Sequence, residues 1–268
     1  MAKTFLLDKI IKQGVTYKTK SNMGLIIRKI GTNSSGSGRL VVAGQKLGYI
    51  DSEVAPIHKT SSNLLGPLDL GDLYYVIPPN TEFEFEGDSG SKARLIGDQI
   101  FLEKGEGFPA DFLGRYDNQR DKFITTYKDS FALGTDEAWK AGAEHEILSL
   151  TPLTTEKITI NNVVMVSISG GTVSEGDFYV LFYMDDSPLE MTEFEEGARG
   201  IDVLSMPYPP ADSTEEIVFT LKDYPIEVKG DHTLSIRVKN VSGADKSPSS
   251  GSAWSVKVKL LAVYERMG

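Results

Sequence analysis

The sequence contains no cysteine. That absence excludes disulfide staples, thiolate nucleophiles and cysteine-based zinc centres together. Histidine is nearly as scarce: His58, His145 and His232 lie far apart, and none is spaced from a second histidine or a carboxylate as in a His-Glu-x-x-His zinc motif. There is no Gly-x-x-x-x-Gly-Lys-Ser/Thr stretch and no Gly-x-Gly-x-x-Gly between a strand and a helix, so nothing supports a nucleotide site or another cofactor. Long apolar runs are missing as well. The opening residues carry Lys3, Asp8, Lys9 and Lys12 where an export signal needs an unbroken apolar stretch, so neither a signal peptide nor a membrane span is expected.

The 268 residues are enough for one large or two ordinary domains. At this length folding should bury roughly 70–75% of the unfolded surface, so a core is available without staples. The net charge of −10 is unevenly placed: residues 1–143 hold 18 basic and 18 acidic side chains, residues 144–268 hold 10 and 20. Within the first 46 residues nine are basic and one is acidic. A basic arm thus precedes a neutral domain and an acidic one. Such charges serve as solvated faces, or they attract each other within one subunit or between neighbours.

The stretch from Asn161 to Asp186 sets the fold class. Phe178 to Met184 is seven apolar residues without a break, aromatic and β-branched, and reads as a central strand covered on both faces. Downstream, Leu234, Ile236 and Val238 alternate with polar residues, as do Trp254, Val256, Val258 and Leu260. Further strands are expected near residues 147–150, 157–160, 163–168, 201–205, 217–221 and 226–228. About eight antiparallel strands in so short a stretch predict a two-sheet sandwich, with a jelly roll preferred over an immunoglobulin-like order.

Upstream, Phe5, Leu6, Ile10 and Ile11 fall at spacings that predict a short amphipathic helix, too short to hold alone. Residues 25–30 and 40–42 read as a hairpin whose Ser/Gly-rich tip, 32–38, is mobile. Strands at 73–77 and 82–86 follow, then a meander turning at Gly97-Asp98, a short helix over 109–119 and a strand over 123–127. The expected organisation is mainly all-β: a docking arm (1–20), an N-terminal β-rich domain with one or two short helices (21–133), a polar linker (134–146) and a C-terminal jelly-roll-like sandwich (147–268).

Few residues suggest chemistry. Gly87-Asp88-Ser89-Gly90-Ser91 resembles the Gly-Asp-Ser-Gly-Gly around the nucleophile of chymotrypsin-type serine proteases at four of five positions, departing at Ser91. The resemblance would imply a general-base histidine far upstream. Only His58 precedes Ser89, with too little chain between them for the two barrels of that fold, so Ser89 is expected to be an unactivated alcohol in a hairpin loop. Glu84 and Glu86 share a strand face regardless of function and do not make a glycosidase pair. Asp185, Asp186 and Glu190, with Glu193, Glu195 and Glu196 behind them, are weak calcium candidates on a loop leaving the central strand.

These exclusions leave a build rather than an activity. A cysteine-free β-rich chain with a docking arm has the build of a non-enzymatic virion subunit, in a capsid, decoration or tail role. Its partners would be itself and other particle proteins, and its place the virion, assembled in the host cytoplasm. Phe5, Leu6, Ile10 and Ile11 are the assembly candidates. The alternative is a sugar-binding sandwich, with Tyr179, Tyr183, Tyr208 or Trp254 as stacking platforms for a surface glycan. Nucleic acid is disfavoured, because aromatic interleaving in the basic arm is sparse and the rest of the chain is neutral or acidic.

Overall fold

The computed structural model describes residues 2–60, 65–160, 164–189, 200–206, 221 and 225–267. The protein is mostly β, with 51% of its described residues in strands and 6% helical, which settles the class as all-β. It divides into two compact units, the first built mainly from Met1–Thr126 and the second mainly from Tyr127–Tyr208 and Glu215–Ala262.

The strands of the first unit are β1 (Lys3–Lys12), β2 (Tyr17–Lys18), β3 (Met23–Thr32), β4 (Arg39–Val42), β5 (Gln45–Lys46), β6 (Leu68–Asp69), β7 (Tyr75–Ile77), β8 (Glu82–Glu86) and β9 (Lys92–Phe101), followed by helix α1 (Ala110–Asn118). One sheet runs β1-β9-β3-β6, with β7 also on β3, and the other runs β2-β8-β4-β5. Taking β6 and β7 as one interrupted strand, the first sheet holds the first, eighth, third and sixth strands. The second holds the second, seventh, fourth and fifth. That order is a jelly roll, two interlocked Greek keys closed into a sandwich.

The second unit repeats it. Its strands are β10 (Lys122–Ala132), β11 (Glu144–Leu150), β12 (Glu156–Ile160), β13 (Val164–Ser169), β14 (Phe178–Met184), β15 (Ser187–Pro188), β16 (Ile201–Asp202), β17 (Ile226–Lys229), β18 (Leu234–Asn240) and β19 (Ser255–Arg266). One sheet is β10-β19-β12-β17 with β13 also on β19, the other β11-β18-β14-β15 with β16 also on β14. Counting β12 with β13 and β15 with β16, the sheets again hold strands 1-8-3-6 and 2-7-4-5. The expected jelly roll is therefore present twice.

Alternation explains which faces meet. In β8, Phe83 and Phe85 turn inward while Glu82, Glu84 and Glu86 remain at least partly exposed. In β14, Phe178, Val180 and Phe182 are fully buried on one face, while on the other Leu181 is buried between half-buried Tyr179 and Tyr183. Phe178 stands between Trp139 and Trp254, with ring centroids 5.0 and 5.3 Å away, at the heart of the second core.

Four sequence expectations are corrected. Residues 3–12 form a strand, not a helix: Lys3 pairs with Phe101 and Lys12 with Lys92 in an unbroken antiparallel register. The hairpin over 25–30 and 40–42 does not exist, because β3 and β4 belong to different sheets. Its tip is anchored by Asp88, whose carboxylate accepts from Ser34 Oγ (2.9 Å), Ser35 Oγ (2.8 Å) and the Gly36 N–H (2.6 Å). Gly97 is no turn; β9 runs straight through it, and glycine is required because a Cβ there would lie 1.9 Å from the Ile26 carbonyl oxygen, beside the β3 bulge. The polar stretch 134–146 holds Trp139, which has no exposed surface, and Asn240 fastens it by donating to the Trp139 (2.9 Å) and Lys140 (3.2 Å) carbonyls. The expected strand over 217–221 lies almost wholly outside the described residues.

Candidate functional site

β1 is the edge of its sheet, and its side chains divide by parity. Leu7 and Ile11 point inward and are buried, 2% and 0% exposed. On the outer face Leu6 and Ile10 are 76% and 54% exposed, and Phe5, at the open end of the inner face, is 53% exposed. Phe5 meets Phe101 edge-on at 5.4 Å, and together with Lys3 and Gln99 they line a shallow groove of about 500 Å³. Of the four apolar residues expected to act together, the structure brings Phe5, Leu6 and Ile10 to the surface and uses Ile11 for the core.

Part of that outer face is already covered. Ile26, Val76 and Ile100 are buried under Phe108, Phe112 and Tyr116, the last two on α1. Gln119, just past the helix, is fully buried and closes the free edge of β7: its Oε1 accepts from the Val76 N–H (2.8 Å) and its Nε2 donates to the Val76 carbonyl (3.1 Å). Toward β1 the face stays open, with Leu6 and Ile10 exposed and the Asp8–Arg94 and Arg28–Asp98 pairs partly exposed beside them.

Charge on β1 is unbalanced. Asp8 takes a two-pronged contact from Arg94, at 2.8 and 2.7 Å, and that guanidinium holds its carboxyl below the ordinary range. Lys3, Lys9 and Lys12 have no carboxylate partner among the described residues; Lys9 instead sits 4.7 Å over the Tyr17 ring.

The calcium candidates separate. Asp185 accepts from the Thr233 N–H (2.8 Å) and pairs with His232 Nδ1 (2.5 Å); the Thr233 bond first, then His232, lowers its pKa. Asp186 receives Arg237 (2.6 Å), which also reaches Glu144 (3.4 Å). Both carboxylates are thus engaged, Asp185 with the connection between β17 and β18 and Asp186 with Arg237 of β18. Glu190 lies outside the described residues, and no group of three potential metal ligands converges among those described.

The stacking candidates fare differently. Trp254 is fully buried and donates its indole N–H to the Lys246 carbonyl at 2.9 Å, so it presents no face to a sugar. Tyr183 is covered by the Arg237 guanidinium 4.2 Å from its ring and donates to Glu144 (3.1 Å). Tyr179 is half-buried on the same strand, and Tyr208 lies outside the described residues. In the Gly87–Ser91 loop, Ser91 Oγ donates to the Asp88 carbonyl (2.5 Å), and Asp88 gathers the opposite loop; none of its bonds among the described residues involves a histidine.

No known protein family matches the sequence, and no curated protein matches it either. Among solved structures, the chain is similar to the capsid of the PBCV-1 virus, with 11% identity over 100% of this chain and 95% of that one, at a TM-score of 0.34. It is similar to the major capsid protein P2 of bacteriophage PM2, with 10% identity over 98% of both chains, at a TM-score of 0.29. A third similarity is to infectious bursal disease virus, Gt strain, with 11% identity over 99% of this chain and 78% of that one, at 0.21. At these scores the fold assignment rests on the strand order of the chain itself.

Proposed function

We propose that this protein is a non-enzymatic structural subunit of a virus or phage particle that assembles with copies of itself and with other particle proteins. The observation that carries the reading is the tandem jelly roll, an architecture used for capsid shells and for lectins. The link from fold to role is one of analogy. Two of the stacking candidates favour the first use: Trp254 is inside the core, and Tyr183 is capped by Arg237. Leu6 and Ile10 on an unbroken edge strand supply a contact surface of the kind a shell subunit needs.

Sedimentation velocity tests the reading. The wild type should form a closed oligomer of defined size, as symmetric homo-oligomers do. A monomer retained on a polysaccharide column would overturn the proposal in favour of a sugar-binding module.

A further inference from the structure

We propose that β1 is the docking edge for an extended acidic strand supplied by a different protein, which adds to the first sheet as its next strand. This rests on β1 being an assembly edge, as read above, and identifies its partner by chemistry. Three observations converge on it.

The first is the direction of the backbone. The Gln13 N–H bonds the Ser91 carbonyl (3.0 Å), and on the far side of β9 the Asn33 N–H bonds the Lys92 carbonyl (3.2 Å). In an antiparallel ladder such bonds alternate, so the odd residues of β1 face β9 and the even ones face outward. The Lys12 N–H, accordingly, turns away and takes the Tyr17 hydroxyl (3.1 Å). Thr4, Leu6, Asp8 and Ile10 therefore aim their N–H and C=O groups at the open edge. Gln99 Nε2 makes a long 3.5 Å contact with the Leu6 carbonyl.

The second is that the edge is not blunted by shape. Ten residues pair with β9 without a bulge and without proline. Natural sheets guard such edges with lysine, and Lys3, Lys9 and Lys12 serve that purpose against neutral or basic strands. The same lysines admit an acidic one.

The third is the side-chain code. An added strand would lay alternate residues against Leu6 and Ile10 on the outer face and against Lys3, Phe5 and Lys9 on the inner. A strand alternating apolar and acidic residues satisfies both rows. A second copy of β1 does not, because it brings three more lysines. In the acidic half of a second copy, Asp177, Asp186 and Asp245 are each already held by a lysine or arginine of the same unit.

Hydrogen exchange on the full-length protein, kept dilute, tests this with a short synthetic peptide alternating glutamate and valine as the probe. Without peptide, the Leu6, Asp8 and Ile10 amides should exchange quickly and those of Leu7, Lys9 and Ile11 slowly. With peptide the first set should become protected. Lys3→Glu/Lys9→Glu should weaken peptide binding about tenfold. A lysine–valine peptide should not bind. Even-numbered amides already protected in the dilute free protein, no protection by the acidic peptide, or equal binding of the basic one would each overturn the assignment. Protection rising with protein concentration alone would place a second copy on the edge and overturn it too. Because the peptide test is read on monomers, failure of particle assembly would strike the structural-subunit reading without altering this result.

Discussion

Trp254 decides between two readings of the same sequence, because an indole on a sandwich strand serves equally as a ligand platform or as core. Its burial against Phe178, with its N–H on the Lys246 carbonyl, makes it core. Trp254→Ala should therefore cost about 3–5 kcal/mol of stability in urea denaturation. A loss below about 0.5 kcal/mol, typical of a surface site, would show that the ring is exposed. Asp88 is the opposite case, an exposed residue with a structural task. The Gly36 N–H first, then Ser35 and Ser34, lower its pKa. A depressed carboxyl stabilises the fold above its unfolded value, about 4, and that contribution is lost as pH falls through the lower folded value. Between neutral pH and about 5 the anchor should hold. Once pH has fallen through the lowered folded value, below about 4, the loop 33–37 should become open to proteolysis, as it should at neutral pH in Asp88→Ala. Equal cleavage of variant and wild type at neutral pH would contradict the anchor.

At the scale of elements, β1 shows where sequence patterns stop being informative. Phe5-Leu6-Leu7 and Ile10-Ile11 put apolar residues at spacings that suit a helix, and with apolar neighbours on both faces no period of two is visible. The strand is fixed instead by β9, about ninety residues away, through the register from Lys3–Phe101 to Lys12–Lys92. Where one face is strictly apolar, as in β8, β18 and β19, the strand was plain from the alternation alone. The jelly roll of the second unit was legible for that reason. That of the first was hidden by β2, β5 and β6, two residues each and too short to show any period. Glycine misled once, since Gly97 marks close approach of β3 rather than a turn. Trp139 was obscured by polar neighbours whose backbone, not side chains, packs against Asn240. The β1 assignment yields a contrast: Ile11→Ala should cost about 2–5 kcal/mol and Ile10→Ala less than about 0.5. Equal costs would restore the amphipathic helix.

For the whole molecule, the two units share one strand order, and no group of three potential metal ligands converges among the described residues. The outward backbone groups and exposed Leu6 and Ile10 of β1 offer a surface for the proposed contacts, and the charge asymmetry between the halves of the sequence favours ordered contacts over random association. The reading as a particle subunit is tested most directly by electron micrographs of the purified full-length protein over a range of concentrations. Uniform closed rings or shells of one size are the predicted result; dispersed monomers at every concentration would contradict it.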